Sequence, residues 1–414
     1  MNKLTIQEKS WILYDVGNSA FVLMISTIIP IYFKNLALEA GISASISTAY
    51  LGYGISLSTI IVAILGPILG TLADTNNYKK RLFTITAALG IIGCACLSIP
   101  YGWLMFLIVF IIAKVGFSGS LIFYDSMLAD ITTEDRMDHI SSLGYAWGYI
   151  GSCVPFTASL VLILSADRLN ISATTLTLVS FLMVAAWWTI ITIPLLKNYK
   201  QHFYIESGPH PFKESFLRLS NIFNELKQHK NILWFVIAFF FYIDGVYTII
   251  DMATSYGKDV GISDNNLLMA LLLTQVVAFP CSILFGRLSK KFKAEHLIRA
   301  SILGYLFIAI FALGLDKAWE FWFLAVCVAV FQGAIQALSR SFFTKIIPKE
   351  KSSEYFGIYD IFGKGAAFLG TLLMGASTHI FGTSKAGVGV IAIMFVIGFF
   401  LFEKAVNENK KNNI

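Results

Sequence analysis

The sequence predicts an all-α membrane protein in which twelve transmembrane helices form two six-helix bundles. Three observations carry this expectation. Of 414 residues, 57% are hydrophobic and only 14% are charged, whereas a soluble domain carries about 25% charged residues. The apolar runs are continuous and of helical length, where a β-barrel would alternate polarity in strands of about 10 residues. The runs fall into two sets of six around a polar middle segment, as a protein built from two related bundles requires.

The first span, from Trp11 to Phe33, reads WILYDVGNSAFVLMISTIIPIYF. It exceeds the roughly 20 residues needed to cross a bilayer, yet it carries Asp15 and Asn18. An ionisable side chain at the centre of a membrane helix costs at least about 2.5 kcal/mol by insertion scales, so Asp15 is expected to face protein or trapped water. The first set of spans is placed near 11–36, 48–72, 82–100, 103–127, 140–165 and 172–196. The second is placed near 231–254, 265–287, 297–315, 319–343, 354–378 and 384–402. This divides the chain into a first bundle (1–196), a linker (197–230), a second bundle (231–402) and a polar tail (403–414). Within the linker, Phe212, Phe216, Leu219, Phe223 and Leu226 recur at helical steps between charged residues. That pattern predicts an amphipathic helix lying at the membrane interface, with a partner-binding helix as the alternative.

Basic residues set the expected orientation. Lys3, Lys9, Lys79, Lys80, Arg81, Lys290, Lys291, Lys293, Lys349 and Lys351 fall on one side, and the opposite loops hold Lys34, Arg168, Lys258, Lys317 and Lys385. The positive-inside rule then puts both termini in the cytoplasm. The same bias accounts for the net charge of +6 without a nucleic-acid partner. The start of the chain, MNKLTIQEKS, lacks the short apolar core and cleavage site of a signal peptide. The 5 cysteines lie in apolar runs without metal or disulfide spacing, and the 6 histidines lie in loops or at a helix end. No metal site and no cofactor are expected from them.

The two halves echo each other. Tyr14-Asp15 in span 1 is matched by Tyr242-Ile243-Asp244 in span 7. Span 4 ends in FSGSLIFYDSMLADI and span 10 in FQGAIQALSRSFFTKII, each before a charged loop and a glycine-rich span. The stretch GPILGTLADTNNYKKR resembles the loop after span 2 of the major facilitator superfamily, with Gly70, Asp74, Lys79, Lys80 and Arg81 matching and Thr75 and Asn77 departing from it. In the second half, FGRLSKKFK keeps Gly286 but has Lys290 where the aspartate would stand. Trp11, Tyr14-Asp15, Asn18-Ser19-Ala20, Gln336-Ala337-Leu338-Ser339-Arg340-Ser341 and Phe356-Gly357-Ile358-Tyr359 resemble a narrower branch. That branch holds the autophagy-related vacuolar amino-acid effluxer and its bacterial relatives. The resemblance implies the major facilitator fold, a bacterial cytoplasmic membrane, and a central cavity lined by spans 1, 2, 4, 5, 7, 8, 10 and 11.

The charges agree with that lining. The interiors of spans 3, 6, 9 and 12 contain no Asp, Glu, Lys or Arg, whereas Asp15, Lys114, Asp244, Asp251, Asp360 and Lys364 fall on spans 1, 4, 7 and 11. Exposure to lipid would be costly for any of them. At about 1.5 Å per residue, Lys114, Asp244, Gln332 and Lys364 fall near the midplane, with Gln275 close by. Together with Asn18 and Gln336 they form the candidate substrate-binding set. Asp15 and Asp244 are the candidates for proton coupling. Asp74, Lys79, Lys80, Arg81, Asp125, Arg340 and Asp360 are the candidates for gating. Each also has a structural reading. Asp360 and Lys364, four apart, pair along one helix face; Lys114 neutralises Asp15 or Asp244; Asp15 caps its helix. Gly66 with Gly70, and Gly144 with Gly148, allow close helix approach, either as static packing or as a sliding contact.

The expected function is secondary active transport of a small amphoteric solute, an amino acid or related metabolite, by alternating access with protons as candidate coupling ions. The protein is expected to be a monomer in contact with membrane lipid. The alternative cargo is an anionic amphiphile such as a lysolipid. A receptor on a transporter fold and a membrane enzyme are the rivals from other classes. Against the enzyme, Gly363-Lys364 has Ile358 where a P-loop needs its first glycine, and neither HExxH nor GxSxG occurs.

Overall fold

The helices begin where a small polar residue meets an apolar run. Thr5 Oγ1 accepts the Glu8 N–H at 3.1 Å, and the Glu8 carboxylate accepts the Thr5 N–H at 2.8 Å, a reciprocal capping box. Ser172 starts a later helix by accepting the Thr175 N–H at 3.1 Å. The computed structural model describes residues 3–100, 102–206, 225–259 and 261–412. The long helices of the first half are α1 (Ile6–Glu39), α2 (Ala44–Ala73), α3 (Tyr78–Cys96), α4 (Trp103–Ser126), α5 (Met137–Leu164) and α6 (Ala173–Asn198). Those of the second half are α7 (Lys230–Asp259), α8 (Asp264–Leu288), α9 (Ala294–Ala312), α10 (Ala318–Ile346), α11 (Ser352–Phe381) and α12 (Ser384–Asn412). Among the described residues, ten of these are long and apolar enough to cross a membrane. The other two, α3 and α11, stand where spans 3 and 11 are expected. The linker helix expected over 212–226 falls almost entirely outside the described residues.

Helix α1 breaks once. Thr27 leaves helical geometry at φ −130° and ψ −74°. Pro30, three residues on, has no N–H, and its ring crowds the Ser26 carbonyl. Ser26 Oγ donates back to the Val22 carbonyl at 3.2 Å, and the Thr27 hydroxyl donates to the Leu23 carbonyl.

The internal repeat is a repeat of packing. In the first half α1 packs on α5 and α6, α2 on α4, α3 on α4 and α6, and α5 on α6. The second half has the same six pairs: α7 on α11 and α12, α8 on α10, α9 on α10 and α12, and α11 on α12. One hydrogen bond marks the register in both. Tyr14 OH meets Ser120 Oγ at 2.6 Å between α1 and α4, and Tyr242 OH meets Ser339 Oγ at 2.7 Å between α7 and α10. The halves join where α2 meets α11 and α5 meets α8, with further contact of α5 on α10 and α4 on α11. Helices α3, α6, α9 and α12 pack within their own bundles. Their outer faces carry bare apolar side chains such as Ile85, Ile92, Ile190, Phe307 and Phe400. Such surface suits hydrocarbon and not water, and the protein is a multi-pass integral membrane protein.

Candidate functional site

The start of α1 and the end of α12 lie at one end of the molecule. Gln7 donates to the Asn198 carbonyl at the end of α6, and Asn231 at the start of α7 bonds Asn409 near the end of α12. This is the basic end, and the polar ties between the bundles cluster there.

The α2–α11 contact is made of backbone. A Cβ on Gly357 would come within 2.8 Å of the Gly66 carbonyl oxygen, and one on Gly70 would overlap the Ser353 carbonyl. This close approach carries the N-terminus of α11 to Asp74, the C-cap of α2. Asp74 accepts the N–H groups of Ser353 and Glu354, both at 2.8 Å. These are donors that a helix N-terminus leaves without partners, and the positive end of the helix favours a carboxylate there. Beside it Lys79 donates to Asp130 at 3.1 Å and to Ser352 Oγ at 2.8 Å. Asp74 and Lys79, two of the expected gating residues, therefore do meet the second bundle. Lys80 and Arg81 do not join them. Successive helical residues are turned about 100° from one another, so Lys80 is half-buried and Arg81 is exposed, over the Tyr78 ring.

Burial pushes the Asp74 carboxyl up to about 6, against the opposing pull of Lys79 and of the two N–H donors. If the seam parts, water returns and the group reverts toward its ordinary value near 4. The sealed state thus binds the proton more tightly. Acidification from about pH 6 to about pH 4 should favour sealing, with no further effect of this group above or below that window. Spin-label distances across the basic end, measured against pH in wild type and in Asp74→Asn, check this. An equal pH response in both proteins would refute it.

Deeper in, Arg340 of α10 enters the first bundle and is 2% exposed. Its Nη1 donates to Asp125 at 2.8 Å, its Nε to Ser141 Oγ at 2.9 Å, and its Nη2 to the Ser141 carbonyl at 3.1 Å. Asp15 Oδ2 stands 3.7 Å from Nη2. The guanidinium lies over the rings of Trp11, Tyr145 and Tyr124 at 4.6, 4.5 and 5.6 Å. Asp15, Asp125 and Arg340 are thus brought into one node.

Two further aspartates share the basic end. Asp138 accepts from Ser341 Oγ and from Lys345 Nζ, both at 2.7 Å. Asp130 accepts from Lys79, from the Tyr199 hydroxyl at 2.7 Å, and from the N–H groups of His202 and Phe203 at 2.9 and 2.8 Å. The start of the linker is thereby strapped to the first bundle, and Ile205 N–H donates to the Asp74 carbonyl at 2.7 Å. Neither aspartate is legible in the sequence, since their partners are far along the chain. The tyrosine and tryptophan walls around Arg340 had a faint signal in the Trp11, Tyr14-Asp15 motif.

The midplane residues do not meet as one cluster in the described part. Asp244 is fully buried; it accepts the Gly370 N–H at 2.9 Å and the Thr248 hydroxyl at 3.3 Å, so its partners are on α11 and on its own helix. Lys114 of α4 acts electrostatically on Asp251 of α7. Gln275 and Gln332 line one cavity of about 120 Å³ inside the second bundle, with Thr248, Thr274 and apolar residues such as Leu324 and Met374. Asn18 donates to the Tyr14 carbonyl at 2.9 Å and is buried within the first bundle. Gln336 is half-buried on α10, and Asp360 is half-buried on α11. Lys364 is on α11, with its side chain outside the described part. Among the described residues no His, Cys, Asp and Glu group could hold a metal ion.

A family model described as "Vacuole effluxer Atg22 like" matches residues 43–413. An uncharacterized MFS-type transporter of Bacillus subtilis, YxiO, is 43% identical over 97% of this chain and 95% of its own length. Autophagy-related protein 22 of Yarrowia lipolytica is 26% identical over 57% of this chain and 45% of its own length. In fold, the human organic anion transporter MFSD10 superposes with a TM-score of 0.75 at 12% identity, over 96% of this chain and 98% of its own.

Proposed function

Because this chain belongs to the Atg22-like family and folds as a major facilitator transporter, we propose that it carries a small amphoteric solute, an amino acid or related metabolite, by alternating access. The observation that carries this reading is the make-up of the basic-end seal. Its parts are glycine-on-backbone contacts, hydrogen bonds and ion pairs between two related bundles, all of which can part without unfolding either bundle. The positive-inside bias supports a basic end that faces the cytoplasm of a bacterial cell. Inside the second bundle, the amide groups of Gln275 and Gln332 beside apolar walls suit a solute that is polar at one end and apolar at the other.

Thermal stability of the detergent-purified protein against amino acids, peptides, nucleosides, organic acids and lysolipids tests the substrate class. A ligand held only by the folded form raises the apparent stability by mass action. A shift with one amino-acid class, lost in Gln332→Ala, is the expected result. A shift with lysolipids alone would replace the amphoteric solute by an amphiphile.

Asp244 is the candidate for proton coupling. Its Oδ2 is buried and has no hydrogen-bond partner among the described residues. Asp244→Asn should abolish proton-driven uptake in proteoliposomes while leaving solute exchange and melting temperature near wild type. Uptake that keeps its pH dependence in that variant would remove Asp244 from the coupling step.

A further inference from the structure

The Arg340 node divides unevenly between the bundles. The cation comes from the second bundle, and everything that receives it comes from the first: Trp11 and Asp15 on α1, Tyr124 and Asp125 on α4, Ser141 and Tyr145 on α5. When the bundles separate at this end, Arg340 withdraws with α10. Three aromatic faces and two carboxylates stay behind, together on one rigid bundle. Trp11 and Tyr124 are stacked at 4.5 Å, and Trp11 Nε1 donates to the Tyr124 carbonyl at 2.9 Å, so these walls do not depend on the arginine. Asp15 is 7% exposed, and its Oδ2, which faces the guanidinium, has no hydrogen-bond partner among the described residues. A carboxylate as buried as Asp15 is costly without a counter-charge. Aromatic faces add attraction for an organic cation and none for a neutral group of the same shape.

We infer that the vacated cage binds the cationic head of a solute, an ammonium or guanidinium group, and that Arg340 is its tethered competitor in the sealed state. This inference rests on the alternating-access reading above and narrows its substrate class to solutes with a positively charged head. It also gives the seal a second task. A cation arriving from the basic side takes the place of Arg340, so binding there holds the end open until the solute leaves.

The test uses the full-length protein with Arg340→Ala and two probes of one shape, ethylguanidinium and N-ethylurea. Calorimetric titration should find ethylguanidinium bound at least about tenfold more tightly. Adding Trp11→Leu should cut that preference to under about threefold. Equal affinities would overturn the inference, as would a preference untouched by Trp11→Leu. A third overturning result is that low pH alone raises the melting temperature of Arg340→Ala and the cation adds nothing; the cage would then be a proton site. Wild type supplies an arm that does not depend on folding of the variant. Millimolar ethylguanidinium should speed hydrogen exchange several-fold over residues 120–145 while α9 is unchanged, and N-ethylurea should not; no acceleration counts against the cage. Solute counterflow separates the two levels of the argument. Counterflow of a neutral solute without cation binding would sink the cage and leave transport standing. Cation binding without counterflow of any solute would sink transport and leave the cage.

Discussion

Arg340→Gln should empty the sealed state and remove transport. The substitution leaves Asp15 buried and Asp125 half-buried beside aromatic rings, with the guanidinium between them gone. Removing one partner of a buried ion pair typically costs about 3–5 kcal/mol. The sealed state should therefore lose at least about a hundredfold in population. The open state escapes most of that cost, because water reaches the carboxylates once the end parts. Proteoliposome uptake should fall to background, and a cysteine placed at Ser353 should become reactive to a thiol reagent from the basic side. Arg340→Gln combined with Asp125→Asn should regain more than half of the lost sealing, since the second change removes a charge that Arg340 offsets. A double variant as open as the single would show that Arg340 seals through its packing on Trp11 and Tyr145 and not through charge.

Gly70→Val should hold the basic end open by sterics alone. A Cβ at Gly70 overlaps the Ser353 carbonyl, and backbone cannot swing aside as a flexible side chain can. Overpacking of this kind costs about 1–3 kcal/mol where the neighbours can adjust, and more where they cannot. The cost falls on the seam and not on either bundle, so melting of the purified protein should change little while transport drops at least about tenfold. Gly52→Val on the same helix is the control, because nothing lies within 4 Å of a Cβ there. Wild-type transport by Gly70→Val would mean that α2 and α11 need not touch during the cycle.

The fold was readable because its signals are local. Apolar runs of bilayer length act within the span they form, whereas the break in α1 at Thr27, inside the single span expected over 11–36, was not read. The sorting of charges away from the interiors of spans 3, 6, 9 and 12 was readable for a similar reason, since lipid excludes them. The site was only partly readable. Asp74, Lys79, Asp125, Arg340 and Asp15 do gather at the basic end. Asp130 and Asp138 were missed because nothing near them in sequence names Tyr199, Ser341 or Lys345 as partners. Asp244 shows a different failure. It looks like the repeat of Asp15, yet it stands two residues after its tyrosine where Asp15 stands one. The Tyr14–Ser120 and Tyr242–Ser339 bonds fix the register, so the extra residue turns Asp244 by about 100° around its helix. Asp15 consequently faces the other bundle and Asp244 faces Gly370 of its own.

The glycine seam between α2 and α11 has a thermal consequence. Gly66, Gly70 and Gly357 bring no side chains to the contact, so parting it uncovers peptide surface and little apolar surface. Apolar exposure raises heat capacity and polar exposure lowers it. The seam itself should therefore add almost nothing to the heat-capacity change of opening. Whatever curvature the balance between sealed and open forms shows with temperature should then come from the aromatic faces around Arg340 and not from the glycines.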